Sequence, residues 1–382
     1  MSPPSLTNPF RYGDLAVGEA FADREAELQE LEADIRNAQN VVVFAPRRYG
    51  KSSLVRRVSE HVRKRGVLVA GVDLMTTPTK ERLAEHLARS IHDDVASRLF
   101  RARDRLRVFR GLRVTPTVTI DPESGSVSFS FRAAHPPEDV DATLERLLQL
   151  PAELAAERQR RVALVLDEFQ EVIDIDPHLP RLMRSVFQQQ TEVAHLYLGS
   201  KRHMLERIFN DENEPFWRSA KQMELGVIAP PAFSGYIRER FSASGKAVAP
   251  QVVDAVLSMT RGHPYATQEL CYFLWEETPA GGSAAPEALR EALADVLRSE
   301  NAHFALVWEH ASAVQRLVLQ ALAREPGRPL ASDYRRRHSL PAASSVQRAL
   351  AALGREELVM RDDDGYRIAE PFLAEWLARA DA

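Results

Sequence analysis

The sequence predicts an α/β chain. A parallel sheet of five strands flanked by helices comes first, then an all-helical stretch, then a three-helix unit closed by a hairpin. Three observations predict it. Short apolar runs at 41–45, 66–74, 161–168, 194–200 and 221–228 read as strands. They are runs rather than alternations, the pattern of parallel strands buried on both faces. Helical periodicity fills the intervals between them, and such alternation builds a covered parallel sheet. After Pro230-Pro231 the pattern becomes purely helical until two short strand-like segments, LVMRD and YRIA, near the end.

In chain order, Leu28, Leu31 and Ile35 fall at helical spacing, so a helix precedes the first strand. Leu54, Val55, Val58 and Val62 predict the helix after it. Residues 80–108 alternate apolar and charged positions as one long helix. Residues 113–133 differ: Val114, Val118 and Ile120, then Val127, Phe129 and Phe131, alternate on either side of Pro-Glu-Ser-Gly-Ser. That is a β-hairpin signature, read as an inserted two-stranded arm. Helices follow at 139–157 and 179–190. Residues 232–304 read as helices with a loop at 279–286. Residues 312–382 give helices at SAVQRLVLQALARE, SDYRRRH and AASSVQRALAALGREE, the two strands around Asp-Asp-Gly, and a terminal helix. This order is that of a winged helix. The expected domains are 1–231, 232–304 and 305–382.

Composition sets outer limits. A chain of 382 residues suits two or three domains, and a hydrophobic fraction of 45% is ample for folded cores. A net charge of −4 gives no global pull toward nucleic acid or membrane. The single cysteine, Cys271, excludes an internal disulfide and suits a reducing compartment. No apolar stretch approaches the roughly 18 residues of a membrane span. The N-terminal MSPPSLTNPF lacks a signal-peptide layout, so the expected location is cytoplasmic.

The chemistry concentrates at residues 41–53, VVVFAPRRYGKSS. A buried strand, a loop ending in Gly50-Lys51-Ser52 and an amphipathic helix form the strand, phosphate loop and helix of a P-loop site. Loop and helix N–H groups would face an anion, with Lys51 at the β- and γ-phosphates. The Ser52 hydroxyl is the expected Mg²⁺ ligand. Ala45 replaces the usual first glycine and is tolerable where φ stays negative. Residues Pro46, Arg47, Arg48, Tyr49 and Ser53 complete the candidate nucleotide-binding stretch, and exposed loop arginines such as Arg47 and Arg48 are read as solvated.

A second motif supports the first. RVALVLDE at 161–168 is a central-strand run ending in two acids. Ligands of open α/β sheets sit at the carboxyl ends of the strands. Asp167 is therefore expected to hold Mg²⁺ through water, and Glu168 to orient and deprotonate the attacking water.

NPFRYGDLAVGEAFADREAEL, APRRYGKSSL, LVLDEFQEV, LGSKRHM and RGHPYATQELC, in this order, resemble the prokaryotic archaeal-type ATPases of the AAA+ and STAND radiation. The resemblance runs from about Asn8 to Cys271. It implies an AAA+ core, a helical lid, and ATP or ADP bound between them with Mg²⁺. Phe21, Arg24 and Glu25 match the family's entry motif near the adenine. Gly50 to Ser53 match the phosphate loop, and Asp167 and Glu168 the magnesium and catalytic acids. Ser200 occupies the sensor-1 place watching the γ-phosphate, with Arg202 a weaker candidate. Arg218 stands where similar proteins carry an arginine finger. Gly262, His263 and Pro264 match the lid motif that packs against nucleotide.

Plainer readings stand beside these. Arg218 is equally an ion-pairing residue, His263 a packing residue, Cys271 a buried thiol, and Trp275 and Trp308 core. Within 312–382 there are eleven Arg, no Lys and ten Asp or Glu, a net of +1. A DNA reader shows a basic face. Arg335, Arg336 and Arg337 cluster, and Ser344, Ser345, Gln347 and Arg348 could line a recognition helix. Asp362, Asp363 and Asp364 occupy the wing, so a protein-contact or self-packing role is favoured over DNA.

Three functions follow as expectations. The first is a Mg²⁺-dependent ATPase acting as a switch that couples nucleotide state to the winged helix, a protein partner or a homo-oligomer. The second is a DNA-associated ATPase. The third is a nucleotide-bound scaffold that hydrolyses little.

Overall fold

In the computed structural model, the described residues are 7–13, 18, 21–100, 106, 108–110, 112–114, 116–121, 127–131, 136–157 and 159–380. The chain forms two compact units. The sheet unit comprises Arg24–Pro46 and Lys51–Leu225; the helical unit comprises Met1–Asp23, Arg47–Gly50 and Gly226–Ala382.

In the sheet unit the strands are β1 (Val41–Phe44), β2 (Leu68–Asp73), β3 (Thr117–Ile120), β4 (Val127–Ser130), β5 (Val162–Asp167), β6 (Val193–Gly199) and β7 (Lys221–Glu224). Five of them make one sheet in the order β2-β5-β6-β1-β7, every pair parallel. All four residues of β1 and all seven of β6 are buried. This explains why they read as apolar runs: both faces are covered by helices, and each buried Val or Leu contributes about 1.5–3 kcal/mol. One face is anchored by Phe169, Tyr197, Phe209 and Phe216, all fully buried, with ring centroids 4.7–5.8 Å apart. β6 lies between β1 and β5, so three strand ends converge where the phosphate-loop helix begins.

The inserted hairpin is a separate two-stranded antiparallel sheet, with Thr117 opposite Ser130 and Ile120 opposite Val127. Phe129 is buried 5.0 Å from the Phe109 ring, while Ile120 is 58% exposed. The apolar face of the arm is thus only half covered. Its turn, residues 122–126, lies outside the described residues.

Four readings change. The expected helix 80–108 is an α-helix over Lys80–Ser90, widens to a π-helical stretch at Ile91–Ala96, is α-helical again at Ser97–Leu99 and ends before Phe100, whose backbone is extended; residues 101–105 and 107 of that expectation lie outside the described residues. The fifth strand stops at Glu224 rather than 228, because only Leu225 beyond it still donates a backbone hydrogen bond to Phe44. A helix at Arg202–Asn210, burying Leu205, Ile208 and Phe209, was not expected. Residues 232–304 also contain a two-residue strand pair, Ala247–Val248 with Ser283–Ala284.

In the helical unit, helices Pro230–Ala243, Pro250–Thr260, Pro264–Glu276 and Pro286–His310 each place proline in the first turn, where its missing N–H costs nothing. Helix Pro286–His310 runs through the expected 304/305 boundary. Helices Ala313–Arg324, Ser332–Arg337 and Ala343–Arg355 precede the hairpin Val359–Asp362/Gly365–Ile368 and the final helix Pro371–Ala380. Ser312 and Gln315 close a capping box at the first of them. Gly365 has φ 138° and would place a side chain against the Gly327 carbonyl, so only glycine fits. Tyr366 there exchanges backbone hydrogen bonds with Gly327, adding a third short segment to the wing.

Candidate functional site

The reactive groups of the sheet unit gather at the carboxyl ends of β5 and β6 and the start of helix Lys51–Lys64. The Lys51 ammonium lies 2.9 Å from Glu168 Oε1 and 3.5 Å from Asp167 Oδ1. Only 8% of its side chain is exposed. A buried cation without counter-charge would be very costly, and the two acids supply it. The Ser52 hydroxyl donates to Asp167 Oδ2 at 3.1 Å. The other oxygen of Asp167 accepts from the Glu168 amide at 2.9 Å, which fixes the carboxylate.

Glu168 sits in the left-handed region (φ 49°), an unfavourable place for a non-glycine residue. Burial opposes its charge. Lys51 and hydrogen bonds from Gln170, Lys51 and Ser200 outweigh that and hold its carboxyl below the ordinary value. Ser200 Oγ donates to Glu168 Oε2 at 3.1 Å, and the Ser200 amide reaches the same oxygen at 3.3 Å. The expected γ-phosphate sensor therefore contacts the acid. Arg202 is exposed and pairs with Glu206 and Glu224 instead.

Two neighbours escaped sequence reading. Asp73 ends β2 in register with Asp167. Burial raises its pKa, and the charges of Asp167 and Glu168 add to the rise. Gln170 is fully buried beside Glu168. The signal for Asp73 was an acid at a strand's carboxyl end; for Gln170 there was none beyond its place two residues after Glu168.

The apex of the phosphate loop belongs to the helical unit. Ala45 keeps a negative φ, as its replacement of glycine requires, while Gly50 takes φ 84°. Arg48, at φ 66°, extends its guanidinium over the Tyr265 ring, 4.2 Å from the centroid, and reaches Glu370 at 3.4 Å. Arg47 is 64% exposed and lies 3.3 Å from Glu357. The Tyr49 ring is buried, meets the His263 ring edge-on at 4.7 Å, and its hydroxyl approaches Met360 Sδ at 3.9 Å. The solvated reading holds for Arg47, which is mostly exposed, and is corrected for Arg48, which is stacked and paired because the loop apex packs against residues remote in sequence.

His263 caps helix Pro264–Glu276, its Nδ1 accepting from the Ala266 amide at 3.2 Å. Burial, with Arg48 and Arg367 adding, pushes its pKa down to about 3, so it is a neutral packing and capping residue. Pro264 is the first residue of that helix. Beneath it Glu269 is fully buried near Glu300 and Glu370. Burial first, then those two acids, push its pKa up to about 9, so it is a neutral acid. Cys271 is fully buried and its thiol pKa raised by that burial; Trp275 is buried and Trp308 half-buried.

Phe21 donates its amide to Gly18. Arg24 is buried, left-handed and paired with Glu27 at 2.8 Å. Pro46 is half-buried and Ser53 buried on the helix. Arg218 is exposed, also left-handed, and lies 5.3 Å from the Trp217 ring. Among the described residues it makes no ion pair, so the ion-pair reading of Arg218 finds no partner. Lys51, Ser52, Asp167, Glu168 and Ser200 thus come together; Arg47, Arg48, Tyr49, His263 and Pro264 gather around the loop apex. Among the described residues no cluster of three or more His, Cys, Asp or Glu side chains is arranged to hold a metal ion, and no helix is long and apolar enough to cross a membrane.

Residues 21–209 match the family described as an ATPase domain predominantly from Archaea, and residues 302–379 match a probable winged helix domain. A search of curated proteins finds no match. Among solved structures, the chain is similar to the Walker-type ATPase PABY2304 of Pyrococcus abyssi, with a TM-score of 0.67 and 16% identity over 95% of this chain and 97% of that one. It is also similar to the Aeropyrum pernix ORC2 protein in its ADPNP–ADP complexes, with a TM-score of 0.55 and 13% identity over 98% and 97%. At these identities the likeness shows the fold. The chain carries an archaeal-type P-loop ATPase domain followed by a winged helix.

Proposed function

We propose that this archaeal-type ATPase binds and hydrolyses ATP, and that its winged helix reads the nucleotide state through the apex of the phosphate loop. One observation carries the coupling. Arg47, Arg48 and Tyr49 contact Glu357, Glu370 and Met360, all within the winged-helix residues 302–379, while Lys51, two positions after Tyr49, begins the reactive cluster. A phosphate drawn to Lys51 and to the helix N-terminus would pull on a loop whose other side is tied to the winged helix.

The donor set fits Mg²⁺. Ser52 and Asp167 offer a hydroxyl and a carboxylate 3.1 Å apart, and Mg²⁺ is usually held by one or two such oxygens plus substrate phosphates. When bound it would neutralise developing phosphate charge. Lys51 supplies a cation, Glu168 accepts the proton of the attacking water, and Ser200 holds Glu168. Phe21 and Arg24 are assigned to nucleotide contacts, and the division into 1–231, 232–304 and 305–382 is kept as nucleotide-binding domain, lid and winged helix. We place the protein in the cytoplasm.

The test is hydrogen exchange in residues 302–379 with and without ATP and Mg²⁺. We expect ATP to change protection there in the wild type. The double variant Glu357→Gln/Glu370→Gln should still bind ATP yet lose that change. Unaltered exchange in the wild type would overturn the coupling.

A second arrangement concerns Arg218. Exposed and without an ion pair among the described residues, it suits a finger offered to a second copy of the chain. Mixing Arg218→Ala with Lys51→Ala should then restore some hydrolysis, since each supplies what the other lacks. A mixture no more active than its parts would assign Arg218 a local role.

DNA binding is favoured by one feature: Ser344, Gln347 and Arg348 are exposed on helix Ala343–Arg355, the recognition position of a winged helix. Against it, Arg337 is engaged by Glu325 and Asp333, and Arg367 by Asp362 of the wing. Tight, steeply salt-dependent binding of duplex DNA would favour that reading over the switch.

A further inference from the structure

We propose that Gln170 is a positioning residue for Glu168: its side-chain amide anchors one carboxylate oxygen so that the other is left for the attacking water. The inference rests on the reading of Glu168 as the group that activates water.

The two oxygens of Glu168 are held differently. Oε2 accepts from Gln170 Nε2 at 2.6 Å, from Ser200 Oγ at 3.1 Å and from the Ser200 amide at 3.3 Å. Oε1 meets the Lys51 ammonium at 2.9 Å. Of these partners only Lys51 is a mobile cation that a phosphate would recruit. Once it turns to the phosphates, Oε1 is released and Oε2 stays fixed. The water oxygen then bonds to the γ-phosphorus, and its proton passes to Oε1. The bond from the γ-phosphorus to the bridging oxygen breaks, and that oxygen leaves with ADP, keeping the electron pair.

Gln170 carries the marks of a residue kept for its donor end. It is fully buried, and its own carbonyl oxygen has no hydrogen-bond partner. A buried polar atom left unpaired is destabilising and calls for an explanation. The orientation is fixed by charge: Nε2 lies between two carboxylates, Glu168 Oε2 and Glu171 Oε1 at 3.2 Å. Turning the amide over would set a carbonyl oxygen against both. Glu171 is in turn held by Lys201 at 2.8 Å. The unpaired oxygen lies against Gly199, where any side chain would collide with it, so the last residue of β6 makes room for the amide.

The experiment compares the full-length wild type with Gln170→Met, which keeps length and removes the donor. Steady-state hydrolysis and calorimetric ATP binding are measured together with thermal melting. We expect kcat to fall about 10- to 100-fold, the loss typical of a misplaced reacting group, with ATP affinity within about twofold of wild type. A merely structural role would instead lower melting temperature and affinity together, and overturns the proposal. So does a wild-type kcat. Should Gln170→Met not fold, Gln170→Asn keeps a polar amide but withdraws it from Oε2. It must show the same split, and a wild-type kcat there overturns the proposal. Glu168→Gln separates the two readings. If it hydrolyses at the wild-type rate, the water-activation reading fails; if it is inactive while the Gln170 variants are normal, only this inference fails.

Discussion

Lys51 and Arg48 are two cations three positions apart in one loop, and each is matched to acids. Lys51 meets Asp167 and Glu168, at the carboxyl end of β5, two strands from the β1 that leads into its loop. Arg48 meets Glu370, 322 positions away, and lies over Tyr265. The first pairing is between partners that an incoming phosphate would exchange. The second ties the loop apex to the residue just before helix Pro371–Ala380. The loop thus divides by position: its C-terminal end faces the acids of the sheet, and its apex makes a long-range attachment.

Substitution should separate these two ends. The largest effect is expected from Lys51→Ala, which removes the cation aimed at the phosphates and should abolish ATP binding in calorimetry while the fold persists. Arg48→Ala should retain measurable binding and instead alter exchange in residues 302–379. If both variants lose ATP equally, the division of the loop collapses.

The two ends were not equally legible in the sequence. Lys51 and Ser52 were readable from the Gly-Lys-Ser loop between an apolar run and an amphipathic helix, Asp167 and Glu168 because they close an apolar run, and a parallel sheet brings its strand ends together. The winged helix was readable because its helices and hairpin are local. Glu357 and Glu370 were not, since no periodicity marks which surface acid will face a loop hundreds of residues earlier. Gln170 shows a subtler limit. It stood in plain view in the LVLDEFQEV segment, but inward and outward glutamines look alike until Gly199 supplies the notch. The overlong helix at 80–108 failed for another reason: an amphipathic pattern continues past Ser90, while the backbone widens and then straightens at Phe100.

A second expectation probes the acids under Arg48 by pH. Glu269 has an ordinary value of 4.5 and a folded value pushed up to about 9 by burial and then by Glu300 and Glu370. Between those values the folded state keeps a proton that the unfolded state has lost, so stability falls as pH rises through that window. Glu269→Gln mimics the neutral acid and should flatten this slope in urea unfolding between about pH 6 and 8. An unchanged slope would mean that the acid is already ionised beside Arg48.

The smallest effect is expected at Arg47, and it sharpens the comparison within the apex itself. Arg47 and Arg48 are adjacent, both arginine, and both face a glutamate of the winged helix. Arg47 is 64% exposed and among the described residues pairs only with Glu357, whereas Arg48 is 36% exposed and also stacked. Exposed ion pairs contribute about 0–1 kcal/mol and are screened by salt. A double-mutant cycle on Arg47 and Glu357, read by chemical denaturation, should therefore give a coupling in that range that fades in high salt. The cycle on Arg48 and Glu370 should give a larger coupling that salt weakens less, because Glu370 is 18% exposed. Equal couplings would show that the apex is held by general charge attraction, and the attachment could no longer be assigned to Arg48.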